Sequence, residues 1–521
     1  MDSASLKREI AALRKTVEQQ RAETEALKSQ LAWFQRQLFG RKSEARLVDS
    51  ADPQQLGLFN TDQAEEPKPQ SEEITYTRRK KGRDGAVTDQ GLRFDDSIPV
   101  KVIPIPAPEL HGADRDDYEV VGEKVSRRLA QRPGSYVIIE YRRPVVKRKS
   151  DQKLYAPAAP TAVFDRTMAD VSLLAGMLVD KFRYHLPLYR QHQRLRAAGV
   201  SVSRSTLTNY VQRSIELLVP IYDAQWEHIV SGRVISVDET PIKAGRRRGR
   251  SPREPGQMKQ AWFWPVYGEE DEVCFSWSPT RATSHIEEHL SGFDGVLLSD
   301  GYTAYDRFTK AKDSIVHAQC WAHARRYFER AEDSDPSAAV ALDKIGAIYQ
   351  VEREIRERRL EGDKLLRHRV DHAKPLVEGF LAWCRTERMR GDLIESAPLT
   401  KALKYAIKHG PQLQVYLGDP DVPIDNNHLE RAIRTIAMGR KNWLFCWTEL
   451  GARYVGVIQS LITTCILHQA DPFTYLVDVL QRVATHPAGR EEELTPRCWK
   501  ELFSGQPLRS DLELIVPDAV V

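Results

Sequence analysis

Cysteine is scarce and scattered in this chain. Six stand in 521 residues (Cys274, Cys320, Cys384, Cys446, Cys465 and Cys498), none precedes residue 274, and no CxxC pair occurs. That spacing argues against a disulfide framework and against a four-cysteine zinc site. The opening MDSASLKREI has no apolar signal core, and no run reaches the roughly 18 apolar residues of a membrane span. A cytoplasmic protein with no membrane partner is therefore expected. Strong charge of one sign is also missing: 77 Lys and Arg face 73 Asp and Glu, leaving +4. Bulk composition thus declares no nucleic-acid binder.

Clustering says more than the total. Basic blocks stand at Arg78 to Arg83, at Arg142 to Lys149, and at Arg246, Arg247, Arg248, Arg250 and Arg253. Such blocks attract phosphates through counterion release, although a single block is as often a solvated face. The length calls for two or more globular units joined by linkers.

Read in order, residues 1–44 are expected to form a coiled coil. Leu6, Ile10, Leu13, Val17, Leu27, Leu31, Phe34 and Leu38 recur in steps of four and three, interrupted at Gln20 and Thr24. A narrow apolar seam of this kind serves self-association. Residues 45–88 are too polar to bury a core and read as a linker. Residues 89–160 carry short β-prone runs such as SYVIIEYRRPVVKR between Pro, Gly and Asp, which predicts a small β-rich module. Residues 161–230 are helical in pattern. Within them RQHQRLRAAGVSVSRSTLTNYVQRS has helix-turn-helix spacing around Gly199, with Ser203 as N-cap. The second helix offers Arg204, Ser205, Thr206, Thr208 and Asn209 as groove-facing donors and acceptors.

The chemistry is expected after residue 231. In RVISVDETP a β-branched run delivers Asp238, and in GVLLSDGYTAY a second run delivers Asp300. An arginine-rich turn, two strand-like runs (QAWFWPVYG and EVCFSWSP) and a helix separate them. Acids on the first and fourth strands of that order lie side by side in a ribonuclease-H-like sheet. Two carboxylates held together repel unless a cation sits between them, so a divalent metal is the natural partner. A third acid is expected from a helix, and in IDNNHLERAIRTIAMGRKNWLF Glu430 fits, with Leu429, Ile433 and Ile436 on its apolar face. Arg434 and Lys441 share the edge of Glu430 and suit DNA phosphate. Asn426 or Asn427 would cap that helix. Glu239, Asp294, Asp306 and Asp425 are neighbouring acids that compete with the chosen three; Glu239 either shares the metal or faces away. His317, Cys320 and His323 lack a fourth ligand for zinc and read as packing or hydrogen-bonding groups beside the site. Residues 331–422 form a helical insertion, 423–450 the final acidic helix of the core begun at 231–330, and 451–521 a C-terminal helical element.

Taken together, LFGRKSE, VDETPIK, LLSDGYTAY, HAQCWAHARRYF, DNNHLERAIR and GARYVGVIQSLITTCILHQADPFTYLVDVLQRVATHP resemble the insertion sequence 66 family of bacterial transposases over nearly the whole chain. The resemblance implies a DDE transposase of α/β multidomain architecture, a ribonuclease-H-like mixed sheet interrupted by a helical insertion. It implies catalytic and metal-holding roles for Asp238, Asp300 and Glu430, and places the Cys-x-x-His signature on Cys320 and His323. Implied cofactors are Mg²⁺ ions, with Mn²⁺ able to substitute. Implied partners are terminal inverted repeats, target DNA, a second copy of the chain and small accessory proteins of the same element. One departure stands out: members commonly carry a cysteine zinc finger where residues 89–160 have no cysteine, so no zinc is expected there. The rival readings are a DNA-binding regulator with an inactive core, and an RNase or junction nuclease cutting independently of repeat ends.

Overall fold

Apolar runs bounded by acids and glycines become a central sheet, and periodic segments become helices packed on both its faces. The computed structural model describes residues 93–94, 98–111, 115–132, 135–165, 167–246, 257–442, 446 and 448–514. The expected coiled coil, the linker, and the Arg247 and Arg248 part of the third basic block lie outside them. The described residues all belong to one unit, Asp84–Val521.

That unit opens with strands β1 (Arg93–Phe94), β2 (Val100–Pro104), β3 (Tyr118–Arg132), β4 (Ser135–Arg148) and β5 (Leu154–Tyr155). A long antiparallel hairpin of β3 and β4, with β2 parallel to β4 and β5 antiparallel to it, makes a four-stranded sheet. Backbone bonds from Leu129 to Met168 and from Asp170 to Leu129 tie it to the next segment. Helix α1 (Val171–Phe182) is capped by Asp170, and almost every residue in it is buried. Then come α2 (Leu188–Ala197), β6 (Val200–Ser201) and the 28-residue α3 (Arg204–Ser231). Gly199, at φ +81°, makes the turn between α2 and β6, a conformation glycine adopts without steric cost. Ser203 caps α3 by accepting from Thr206 N.

The central sheet contains β7 (Val234–Val237), β8 (Thr240–Arg246), β9 (Met258–Tyr267), β10 (Val273–Ser278), β11 (Gly295–Ser299) and β12 (Ile315–Gln319). Its order is β10-β9-β7-β11-β12, with β8 paired to β9. β7, β11 and β12 run parallel, whereas β9 is antiparallel to β7, β8 and β10. β8 corrects the sequence reading, which had an arginine-rich turn directly after Asp238. Thr240 to Lys243 pair with β9 before an irregularity where Gly245 turns at φ +73°. Pairing with β9 supplies what the short polar run lacks in β-propensity.

Helices α4 (Thr283–His289) and α5 (Thr303–Lys310) cover one sheet face, packing Ile286 and Phe308 with Ile235, Val237 and Trp264. After α6 (Trp321–Glu329) come α7 (Ser337–Arg358), α8 (Gly362–His368), α9 (Lys374–Arg388) and α10 (Pro398–Lys408), which build a separate helical core against Val296, Leu298 and Ala318. The chain returns with α11 (Asn427–Asn442), α12 (Glu449–Leu467), α13 (Pro472–Arg482) and α14 (Pro496–Leu502). Leu429, Ile433 and Ile436 of α11 join α3 and α12 against Phe263 and Phe275 on the other sheet face.

β10 is an edge strand, and edges expose unpaired backbone groups. Here α12 closes it: Phe275 N donates to Ser460 Oγ (2.8 Å) and Val273 N to Thr464 Oγ1 (3.2 Å). The approach is so close that a Cβ on Gly456 would stand 2.3 Å from the Phe275 carbonyl oxygen. α12 is also long and apolar enough to cross a membrane by composition, yet 67% of its most apolar stretch is buried inside the protein.

Candidate active site

Two fully buried runs, VISV of β7 and VLLS of β11, end on acids. With both faces of the sheet covered, such strands are mostly apolar, and the carboxylates appear where they end. β7 and β11 are parallel neighbours with Leu298 opposite Ser236, so Asp238 and Asp300 leave the sheet at the same end. Each is fixed by a local bond. Asp238 accepts from Glu239 N at 2.7 Å, and Asp300 accepts from Tyr302 N at 2.9 Å.

Asp238, Glu239 and Asp300 each offer an oxygen within 4.8 Å of the others. The electrostatic consequence falls on Asp238. Burial, then the charges of Asp300 and Glu430, push its carboxyl from 3.8 up to about 8, against the pull of Arg326 and Arg281. At Asp238, burial and neighbouring negative charge together outweigh the nearby arginines. Glu430, in the first turn of α11, is not in the tight group of three, although its charge acts on Asp238. Its Oε2 accepts from Arg326, its Oε1 lies 3.8 Å from His323 Nε2, and that Oε1 is buried without a hydrogen bond. Its ion-pair partner is therefore Arg326, not the Arg434 of its own helix.

Glu239 stands within this group and is also bound by protein donors. One of its oxygens accepts from Arg281 and the other from Tyr305 Oη at 2.9 Å, and its side chain is only 3% exposed. The remaining competitors are engaged elsewhere: Asp294 by Ser314, Asp306 by His317 and Lys408, and Asp425 by Tyr349 and Asn427.

His317, Cys320 and His323 do not converge. His317 sits on β12 beside Asp306 and Ser299 Oγ. Cys320, its thiol pushed up to about 12 by burial, donates to Asn426 Oδ1 at 2.9 Å and accepts from Asn426 N at 3.4 Å. The Asn426 side chain is therefore turned to Cys320, and Asn427 is the first residue of α11. His323 stands beside Glu430, where Arg326 Nη1 donates to its Nε2 at 3.1 Å.

Of the expected DNA contacts, Arg204, Ser205, Thr208 and Asn209 are exposed on the first turns of α3, with the Arg204 guanidinium over the Tyr189 ring. Thr206 is a correction. It is buried, with Oγ1 2.9 Å from Ser203 Oγ, because position three of a capped helix turns inward onto the cap. Arg434 and Lys441 are exposed on α11. The Arg246 side chain lies outside the described residues, as do Arg247 and Arg248. Sequence reasoning missed Arg281, Tyr305, Arg326 and Asn426 as site residues. Arg326 alone carried a signal, standing one helical turn after His323 on the same face.

The chain matches the sequence model of the "Transposase IS66 family" over residues 166–454, "Transposase C of IS166 homeodomain" over 26–103, and the "IS66 C-terminal element" over 460–497. It is 30% identical to uncharacterized protein y4hP of Sinorhizobium fredii over 73% of this chain and 71% of that relative. Against y4jD of the same organism it is 29% identical over 92% of this chain and 96% of that one. Similar solved structures include the Drosophila P element transposase strand transfer complex, with TM-score 0.21, 13% identity and coverage of 67% and 94% of the two chains. Another is the Mos1 strand transfer complex, with TM-score 0.12, 11% identity and coverage of 32% and 61%. With matches to the central, N-terminal and C-terminal models of one family, and the acid-bearing strands and helix inside the first of them, the chain belongs to the IS66 family of transposases.

Proposed function

We propose that this protein is a DDE-type DNA transposase, acting in the cytoplasm on the terminal inverted repeats of its element. Residues 78–230 bind the repeats, the coiled coil of residues 1–44 pairs two copies, and Asp238, Asp300 and Glu430 do the chemistry in a ribonuclease-H-like core. The strand order, with β11 and β12 parallel to β7 and on the side of it away from β9 and β10, supports that fold assignment. Helices α7 to α10 then form an insertion between β12 with its following helix α6 and the acidic helix α11.

The observation that carries the reading is the uncompensated charge at the ends of β7 and β11. Burial first, and then the charges of Asp300 and Glu430, hold the Asp238 carboxyl up at about 8, and a buried oxygen of Glu430 has no donor. An all-oxygen donor set of this kind fits Mg²⁺, with Mn²⁺ as substitute. Bound there by Asp238, Asp300 and Glu430, two such ions would supply activation of the attacking oxygen and charge stabilisation on the leaving oxygen. The chain itself supplies position. Local backbone bonds orient Asp238 and Asp300, while Arg326, itself bonded to His323, holds Glu430. In the first step a water oxygen bonds to phosphorus and the bond to the 3′-oxygen breaks, leaving a 3′-hydroxyl and a 5′-phosphate. In the second, that 3′-hydroxyl attacks a target phosphodiester, releasing a target 3′-hydroxyl. No covalent enzyme intermediate is needed.

Glu430→Gln removes the charge and keeps the shape. It is expected to abolish Mg²⁺-dependent nicking and strand transfer on a duplex copied from the DNA flanking this gene, while end binding in a gel-shift assay is unchanged. Retained strand transfer would overturn the assignment. A wild-type protein that binds the duplex but never nicks it would leave the DNA-binding regulator as the reading.

A further inference from the structure

Glu239 stands in the acid cluster, yet its carboxylate is already committed. Arg281 holds one oxygen and Tyr305 the other, in a pocket that leaves the side chain 3% exposed. Arg281 is fixed from several directions. Its guanidinium lies 3.8 Å from the Tyr302 ring centroid and 5.3 Å from that of Trp262, and Tyr302 Oη donates to its carbonyl at 2.8 Å. The Arg281 side chain is nonetheless 38% exposed. Its charge is felt at Asp238.

From these contacts we propose that Arg281 is a phosphate-binding cation of the active site, receiving a backbone phosphate of the DNA strand, and that Glu239 is the positioning residue that holds it rather than a metal ligand. The inference rests on the reading of Asp238, Asp300 and Glu430 given above. A DNA strand brought to three carboxylates meets repulsion, and a stationary cation at their edge offsets it. Arginine suits the task because its planar fork stacks on an aromatic ring and still presents donors in the geometry of a phosphate. Because the ion pair and the ring already hold the side chain, little further entropy is lost when a phosphate arrives.

The test uses the full-length chain and a duplex copied from the DNA flanking this gene. Three quantities are read: the slope of binding against salt, KM and kcat for nicking, and the Mg²⁺ concentration giving half-maximal rate. Arg281→Ala is expected to flatten the logarithmic salt slope by about 0.9, the loss of one phosphate contact. It should also raise KM roughly ten- to hundredfold, with the Mg²⁺ requirement unchanged. Glu239→Gln, which frees Arg281 from its anchor, is expected to raise KM in the same direction and again leave the Mg²⁺ requirement unchanged. Where Arg281→Ala melts too early to assay, Arg281→Gln keeps a donor for Glu239 and reads the same slope. A wild-type slope and KM in the Arg281 variants overturns the proposal, as does a Glu239→Gln protein needing tenfold more Mg²⁺. If the wild type does not nick at all, the transposase reading fails, while the salt slope still decides whether Arg281 meets a phosphate.

Discussion

His317 shows how far burial outweighs a single ion pair. Its side chain is 7% exposed with Nδ1 3.3 Å from Asp306, which would favour the charged ring. Desolvation is larger, with His409 and Lys310 opposing the proton as well, and the ring falls from 6.5 to about 4. The folded protein therefore holds this histidine neutral where the unfolded chain protonates it. Its contribution is fully present above pH 6.5 and is lost as pH falls from there towards 4. The gap corresponds to about 3 kcal/mol. Urea unfolding at pH 7 and pH 4 should show His317→Gln losing less stability than the wild type by about that amount. An identical loss in both would show that the ring is not kept neutral.

At the scale of elements, the third acid depends on a latch that is not itself acidic. Cys320 and Asn426 bond twice, and Trp321 N donates to the Ile424 carbonyl at 3.1 Å, so the turn after β12 grips the loop before α11. Asn426 is fully buried. Asn426→Ala leaves the Cys320 thiol without its acceptor and is expected to cost about 1–3 kcal/mol. Because Glu430 stands four residues later, nicking should fall while the Mg²⁺-independent DNA affinity holds. Denaturant unfolding beside the nicking assay checks both, and a variant destabilised with full kcat would show that the latch does not position the acid. This dependence was not legible in the sequence. Cys320 and Asn426 lie 106 positions apart, with the helices α7 to α10 between them.

Across the whole described unit, distant segments are clasped by buried polar groups. Gln225 of α3 donates to the Val273 carbonyl of β10 and to Thr464 Oγ1 of α12, both at 3.0 Å. The C-terminal stretch returns to the first sheet, where Tyr141 Oη donates to Asp511 and Ser510 Oγ to Asp170. The β2 to β5 sheet is thus held by packing of Leu129, Tyr136 and Ile138 on α1 and by these clasps. Metal analysis of the purified full-length protein is accordingly expected to find no stoichiometric zinc, and one zinc per chain would overturn that account.

What the sequence determined by itself is the set of features governed by neighbours along the chain. Asp238 and Asp300 at the ends of continuous apolar runs, the capping hydroxyl of Ser203, and the apolar stripe of Leu429, Ile433 and Ile436 at the helical period of 3.6 are all local patterns. The family resemblance likewise rests on contiguous motifs. Tertiary structure decided what depends on partners far apart: the pairing of β8 with β9, the inward turn of Thr206, the Arg326 that holds Glu430, and the Arg281 and Tyr305 that occupy Glu239. A carboxylate's role is set by which donors surround it in space, and no local pattern encodes a donor contributed from 42 or 104 residues away.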